Sequence, residues 1–227
     1  MNSAQLRLYV EITNTSSGSL IFDTSGGNGE VQMVGPSSNG PGAIIRNQGI
    51  VNFTGGGDFR FYTAGEFINE SGGVINHEAG DLSFIEQSQF TNKAGGVVNL
   101  DGNSLIVDDA TAGFTNEAGG EINLLALGTI NLADHATLTN AGTMTWVSGE
   151  NATNKTITGN GTLSNSGSFY HRHGGSSDNL ILNGSVTFAN AAGGLFEITD
   201  AGDVQILSSA RFNNAGTLLK SGVGGPD

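Results

Sequence analysis

The chain has 227 residues, of which 37 are Gly, 3 are Pro and none is Cys, and 37% are hydrophobic. Acidic residues outnumber basic ones 21 to 8, which leaves a formal net charge of -13. This balance excludes nucleic acid as an expected partner, because phosphate binding needs a basic surface. The lack of cysteine excludes disulfides, thiolate catalysis and cysteine-bound metals. No apolar run reaches membrane-spanning length, so we expect a chain that is not inserted in a membrane.

One short phrase recurs along the chain. FTNEAGGEINL at 114–124 is preceded by FTNKAGGVVNL at 90–100 and by FINESGGVINH at 67–77. The asparagine of the phrase returns at intervals of 22 to 25 residues, after a first interval of 33. These asparagines are Asn14, Asn47, Asn69, Asn92, Asn116, Asn140, Asn165, Asn190 and Asn214. The period predicts about nine structural units of about 24 residues each.

Apolar residues occupy fixed places around each asparagine. The position two residues before it holds Ile12, Ile45, Phe67, Phe90, Phe114, Leu138, Leu163, Phe188 and Phe212. A second apolar pair lies further upstream, as in Phe59 and Phe61, and a third follows the next glycines, as in Ile122 and Leu124. Alternation by two is typical of a strand with one buried face. Each unit is therefore predicted to contain three short strands.

A corner follows each asparagine. It contains Gly-Gly, as at Gly119 and Gly120, or a single glycine, as at Gly142. We expect these glycines to supply the positive φ angles of a sharp turn. An asparagine at such a junction can bond to local backbone and, when stacked in register, to the asparagine of the next unit. We therefore predict a structural ladder from Asn47 to Asn214, beside a core stack from Phe67 to Phe212.

Stacking of the units is what allows so short a repeat to bury a core. Each strand pairs with its equivalent in the next unit, and the apolar columns form a continuous interior. The predicted fold is an all-β parallel β-solenoid, with a right-handed coil expected, and one domain over 1–227. Nine coils about 4.8 Å apart would form a rod about 40 Å long. A β-sandwich or barrel is the alternative, but neither requires a fixed repeat interval.

The domain is expected to vary along its length. Residues 1–44 are predicted to form an irregular first coil with a long Gly/Ser-rich loop at 23–42. Residues 45–220 are predicted to form the regular coils, and residues 221–227 a tail. No cap is evident near the end of the repeats, so uncapped coils are expected to meet another subunit or further coils.

Acidic residues provide weak candidates for a metal site. Asp58 and Asp81 precede equivalent strands one unit apart, about 5 Å from each other, and Asp203 is assigned the same place later in the chain. Two such carboxylates can share a hard cation such as calcium. Asp108 and Asp109 form a second acidic pair. The favoured interpretation is a polar strand start and a solvated turn, so no cofactor is expected unless calcium binds at these acids.

The sequence FYHRH at 169–173 is the one local cluster of imidazole and guanidinium groups. His171 and His173 would project to the same side of a continued strand and, with a carboxylate, can bind a transition metal. The third ligand is not visible, so a polar loop is the favoured interpretation. Motifs for nucleotide binding, zinc proteases and calcium loops are missing from the sequence. No catalytic residue is therefore assigned.

The units FTNEAGGEINL, LTNAGTMTW, FANAAGGLFEI and FNNAGTLLKSG resemble the repeats of bacterial secreted β-helix proteins. These are the filamentous-haemagglutinin-like adhesins and autotransporter passenger regions. The resemblance covers 47–220 and is specific for fold rather than for function. It implies an extracellular or cell-surface protein engaged in adhesion or surface structure. The secretion motif and outer-membrane barrel of that family are not found, so the route of export stays open.

Two functions follow as hypotheses. The first is a non-enzymatic extracellular structural or adhesive solenoid that associates through its ends into filaments. The second is a polysaccharide-binding or polysaccharide-cleaving β-helix, in which Asp58, Asp81, Asp108 and Asp109 line a groove and act as acid and base or bind calcium. Besides a second copy of the chain, the expected partners are glycans or a host cell surface.

Overall fold

A computed structural model describes residues 5–24, 30–34, 43–147, 154–172, 179–199 and 203–221. The regular structure in these ranges is entirely β-strand. In chain order the strands are β1 (Gln5–Leu8), β2 (Glu11–Asn14), β3 (Ser19–Asp23), β4 (Glu30–Val34), β5 (Ile44–Asn47), β6 (Ile50–Thr54), β7 (Asp58–Tyr62), β8 (Glu66–Asn69), β9 (Val74–His77), β10 (Asp81–Phe84), β11 (Gln89–Asn92), β12 (Val97–Leu100), β13 (Ser104–Val107), β14 (Gly113–Asn116), β15 (Glu121–Leu124), β16 (Thr129–Leu132), β17 (Thr137–Asn140), β18 (Thr143–Val147), β19 (Lys155–Gly159), β20 (Thr162–Asn165), β21 (Ser168–Arg172), β22 (Leu180–Leu182), β23 (Thr187–Asn190), β24 (Leu195–Thr199), β25 (Val204–Ile206), β26 (Arg211–Asn214) and β27 (Thr217–Ser221). Within the same ranges there is no helix long and apolar enough to cross a membrane.

The strands form three sheets of nine strands each. Sheet 1 runs β1-β4-β7-β10-β13-β16-β19-β22-β25, sheet 2 runs β2-β5-β8-β11-β14-β17-β20-β23-β26, and sheet 3 runs β3-β6-β9-β12-β15-β18-β21-β24-β27. Each strand pairs in parallel with its equivalent in the neighbouring coil. Consecutive strands belong to different sheets, so the chain visits all three sheets once per coil. The predicted parallel β-solenoid with three strands per coil is confirmed.

Inward and outward positions alternate along the strands and set the register. In β14, Phe114 and Asn116 are buried while Gly113 and Thr115 are half-buried. Equivalent inward residues stack between coils, and the rings of Phe90 and Phe114 lie 4.4 Å apart at an interplanar angle of 16°. Stacked rings add to the free energy of burying their area. A slip by one residue would turn these side chains to water, so the alternation fixes the face of each strand.

The first coil differs from the predicted irregular segment. β1, β2 and β3 occupy the same three sheets as all later strands, so this coil is regular. β4 lies inside the segment 23–42, for which a loop was predicted, because Val31 and Met33 point inward and are buried. The other parts of that predicted loop are mostly outside the described residues, and so is nearly all of the predicted tail.

Candidate functional site

The asparagine column lies at the inner corner between sheets 2 and 3. Each asparagine is the last residue of its strand in sheet 2, and those from Asn47 to Asn190 are buried. From Asn14 onward, each Nδ2 donates to the Oδ1 of the asparagine one coil further on, at 2.7–2.8 Å. The same Nδ2 donates at 2.9–3.2 Å to a backbone carbonyl of sheet 3 in the next coil. All these bonds point from one coil to the next, so the column is directional.

The corner glycines have two different roles. In a Gly-Gly corner the first glycine has a positive φ, as at Gly119 with 85°. The second lies against the ladder, and a Cβ on Gly120 would lie 2.5 Å from Asn116 Oδ1. The lone glycine of a short corner is of the second kind, because a Cβ on Gly142 would lie 2.3 Å from the Gly120 carbonyl oxygen. The expectation of positive φ is therefore wrong for these glycines, which are required by close approach instead.

The Asp58 carboxylate is engaged by a nearby arginine. Asp58 Oδ2 accepts a hydrogen bond from Arg60 Nη2 at 3.0 Å, and Oδ1 accepts one from the Asp81 backbone N–H at 3.1 Å. Arg60 Nε also lies 3.1 Å from the Glu30 carboxylate, and Nη1 donates to the Tyr62 hydroxyl at 3.3 Å. The bond with Tyr62 is the largest of the effects that raise the pKa of Arg60. A permanent cation therefore already faces the carboxylate proposed for calcium.

The assignment of Asp203 to the column of Asp58 is wrong. From β19 onward, each strand of sheet 1 starts one residue earlier in the alignment than the strands before it, so its first residue points inward. In β19 this first residue is the buried Lys155, which aligns with Leu180. In this register Gln205 holds the place of Asp58, two residues after Asp203. The sequence LIL at 180–182 fits inward positions in either of two alignments that differ by two residues, so the pattern alone does not decide between them.

Next to the Arg60 cluster lies a shallow, open depression of about 290 Å³. It is lined by Arg7, Gln32, Val34, Tyr62 and Thr63. A guanidinium, an amide and two hydroxyls supply donors and acceptors that suit the hydroxyl groups of a sugar. The volume is at the small end for ligand sites.

The Asp109 carboxylate closes a local turn after β13. Its Oδ1 accepts a hydrogen bond from the Thr111 backbone N–H at 2.6 Å and another from the Thr111 hydroxyl. These hydrogen bonds lower the pKa of Asp109. Asp58 and Asp81 begin their strands of sheet 1, whereas Asp108 and Asp109 follow the end of β13, roughly 13 Å across the sheet. The structure therefore does not bring the four acids into one groove, and the described ranges contain no group of three or more His, Asp or Glu side chains suited to a metal.

His171 belongs to the core of sheet 3. It aligns with Trp146 and Ile198 and is 0% exposed. β21 extends through this residue, so the predicted polar loop is wrong at His171. His173, the second member of the proposed metal pair, lies outside the described residues.

His77 is a buried titratable residue that sequence reasoning missed. It aligns with Phe53 and Leu100, and its ring contacts Phe53 and Phe59 edge-on at 6.2 and 5.8 Å. Neither ring nitrogen has a hydrogen-bond partner among the residues that the structure describes. Burial lowers the pKa of His77 to about 4, against an opposing effect of Asp58. Its inward place in the alternation of FINESGGVINH was the available signal.

A second asparagine column, also missed, runs along the outer face of sheet 3. Asn76 Nδ2 donates to Asn52 Oδ1 at 2.8 Å, Asn99 to Asn76 at 2.8 Å, and Asn123 to Asn99 at 3.1 Å. These side chains are half-buried and face solvent. The signal was the repeated asparagine between two inward residues in VINH, VVNL and EINL. Unlike the inner ladder, this column leaves amide groups accessible on the surface.

Comparisons with protein families, with curated proteins and with solved structures find no match to this chain. The parallel β-solenoid fold agrees with the resemblance of the repeats to bacterial β-helix proteins at the level of architecture. The contacts above show what the polar residues of the repeat do. Most of them bond one coil to the next.

Proposed function

We propose that this chain is a non-enzymatic structural or adhesive rod that acts outside the cell or at its surface. The observation that carries the proposal is the inner ladder, in which eight consecutive Asn-to-Asn hydrogen bonds link the nine coils that the structure describes. The ladder runs beside a continuous apolar core. Such an arrangement makes length and stiffness the properties that the repeat encodes.

Three further features support this proposal. The repeats resemble those of secreted β-helix adhesins, which favours an extracellular place. The net charge of -13 favours solubility and discourages random lateral association. The Asp58 carboxylate bonds to Arg60 and to the next coil, as expected of a structural acid rather than a catalytic one.

The test has a physical and a chemical arm. Small-angle scattering from the purified chain is expected to show a rod in which each copy of the chain is about 40 Å long. Incubation with a panel of acidic and neutral polysaccharides is expected to release neither reducing ends nor unsaturated products. Release of either product, abolished by Asp58→Asn or Asp109→Asn, would contradict the non-enzymatic function.

Glycan binding is the second candidate function, and the outer asparagine column favours it. The half-buried, solvent-facing amides of Asn76 and Asn99 repeat at the coil spacing and offer donors and acceptors to a chain of sugars. Binding on a glycan array that Asn99→Ala reduces, while Thr115→Ala on sheet 2 leaves it unchanged, would support this function. The absence of binding to any glycan would leave the structural function alone.

A calcium site at Asp58 and Asp81 is tested separately. Because Arg60 already neutralises Asp58, we expect the melting temperature to be the same with calcium and with a chelator. A melting temperature that is higher in calcium, by an increase that Asp58→Asn abolishes, would show that calcium displaces the guanidinium.

A further inference from the structure

Exposed apolar side chains concentrate in the two terminal coils of the described chain. Seven of its nine exposed large hydrophobic residues lie there. The first coil has Tyr9, Val10 and Ile21, and the last coil has Ile206, Leu207, Leu218 and Leu219. Ile206 and Leu218 point inward, and among the described residues a coil covers them on one side only. Ile21 and Leu219 point outward, so a missing neighbour does not explain why they are apolar.

Of the outward columns of sheet 3, the one that contains Asn76 shows this contrast most clearly. Its interior members are all polar: Asn52, Asn76, Asn99, Asn123, Thr145, Tyr170 and Glu197. Its end members are Ile21, 61% exposed, and Leu219, 43% exposed. If a second copy continued the column, Leu219 of one copy would lie beside Ile21 of the next. Both side chains would then leave water, which is favourable.

One of the two outward columns of sheet 2 has opposite charges at its two ends. It begins at Glu11 and ends at Arg211, and both side chains are exposed. Continuation of the column would place Arg211 of one copy beside Glu11 of the next. The neighbouring inward positions would bring the half-buried Phe212 over the half-buried Ile12. Complementary charges at the rim of an apolar contact favour one register and one orientation.

The inner ladder is also complementary at its two ends. Within the described ranges, Asn14 Oδ1 accepts no hydrogen bond and Asn214 Nδ2 donates none, although each is bonded on its other side. Because every bond runs from an earlier coil to a later one, Asn214 of one copy would donate to Asn14 of the next. Head-to-head contact would instead set two acceptors against each other.

Lys220 is the one inward side chain of the last strand that does not suit burial. It aligns with Ile198, yet its Nζ lies 3.2 Å from Asp203 Oδ1, and 54% of the side chain is exposed. The ammonium thus pairs with an exposed carboxylate at the rim. Lys220 weakens a contact at this end without blocking it.

We propose that copies of this chain associate head to tail, with the last coil of one copy seated on the first coil of the next in the register of the internal coils. β25, β26 and β27 then pair in parallel with β1, β2 and β3 of the following copy. This contact uses different surfaces on the two copies and does not close on itself, so it produces filaments. The inference rests on the proposed rod function and names a second copy as the partner.

Sedimentation velocity and electron microscopy of the chain over a wide concentration range test the inference. We expect the average mass to rise with concentration and single-file filaments to form. Arg211→Glu should weaken association about tenfold or more, because it sets like charges together. An equal mixture of the Arg211→Glu and Glu11→Arg variants should restore association, because every contact in an alternating filament is then between opposite charges. Arg172→Glu, the same change within the rod, is the control and should have no effect.

Two further variants separate the apolar from the charged part of the contact. Leu219→Asn, which extends the polar column, should weaken association, whereas Leu125→Asn within the rod should not. Lys220→Ile should strengthen the association. Circular dichroism and melting curves confirm that each variant is folded.

Three outcomes would overturn the inference. These are a chain that stays monomeric at every concentration, closed dimers that do not elongate, or filaments indifferent to Arg211→Glu. A folded monomeric rod without polysaccharide-cleaving activity would overturn head-to-tail association and leave the proposed rod function standing.

Discussion

The Asn116 side chain makes coil-to-coil hydrogen bonds of the kind usually made by the backbone. Its Oδ1 accepts from Asn92, and its Nδ2 donates to Asn140 Oδ1 and to the Thr143 carbonyl. An amide suits this place because it presents a donor and an acceptor on one planar group. An ionised Asp would lack the donor, Ser would have a single donor and a shorter reach, and the extra methylene of Gln would misplace its amide. The inner column is therefore restricted to asparagine by its geometry.

Asn116→Ala is expected to destabilise the rod strongly. The change removes two donor bonds to the next coil and a longer one to the Gly120 carbonyl of the same coil. It also leaves the buried Nδ2 of Asn92 without its Oδ1 acceptor, at a cost of about 3 kcal/mol in the free energy of unfolding. Denaturant unfolding followed by circular dichroism measures this loss.

Asn123→Ala is the matched control for this experiment, because Asn123 lies in the same coil but on the outer face, where water replaces the lost bonds to Asn99 and Glu121. We expect it to cost less than about 1 kcal/mol. Equal losses for the two variants would show that burial does not make the inner ladder special.

The corner is the element that distinguishes this repeat from any other series of short strands. It has to turn the chain and also let the backbone of one coil approach the asparagine of another. Glycine meets both needs, by its φ range at Gly193 and by its lack of a Cβ at Gly142. The two needs predict different penalties for the same substitution.

Gly142→Ala should be the more damaging of two single-methyl changes. Its Cβ would meet the carbonyl oxygens of Gly120 and Glu117 at 2.3 and 2.5 Å, so the coil must shift at a cost of about 3 kcal/mol. Gly193→Ala meets nothing within 4 Å and strains only its backbone at φ 88°, which costs about 1 kcal/mol. Comparison of the two melting temperatures checks this order, and the reverse order would contradict the close approach.

The whole molecule combines a strongly acidic surface with a core that contains imidazole. Lowering the pH toward the sequence pI of 4.4 reduces the net charge of -13 and with it the repulsion between surface acids. Protonation of His77 acts in the opposite direction. The pH dependence of stability is therefore the sum of two opposed effects, and one variant can separate them.

His77→Leu should remove part of the acid sensitivity. The pKa of His77 is about 4 in the folded chain, against 6.5 as the ordinary pKa of a histidine. The unfolded chain therefore binds the proton first as the pH falls from 6.5 to 4, and the free energy of unfolding drops by about 3 kcal/mol over that window. Denaturant unfolding of both proteins at several pH values measures this difference. Parallel curves for the variant and the natural chain would show that His77 does not titrate there.

The repeat itself was enough to predict the solenoid, because a period of about 24 residues with three apolar alternations has one solution that buries every inward column. For the same reason, stacking of Phe114 on Phe90 and of Asn116 on Asn92 could be predicted from their places in the phrase. Regular local patterns repeat in three dimensions, so each coil predicts the next.

The tertiary structure alone decided what depends on contacts between coils. A shift of two residues keeps the same face inward, so the register of β19 and the place of Asp203 required the neighbouring strands. The role of Gly142 and the contact of Arg60 with Glu30 depend on atoms of another coil. The burial of His77 depends on side chains of sheets 1 and 3. Ile21 and Leu219 are about 200 positions apart in the sequence. Only the structure shows that they are the two ends of one column whose other members are polar. Sequence pattern determines which way each side chain faces, whereas packing determines what it meets there.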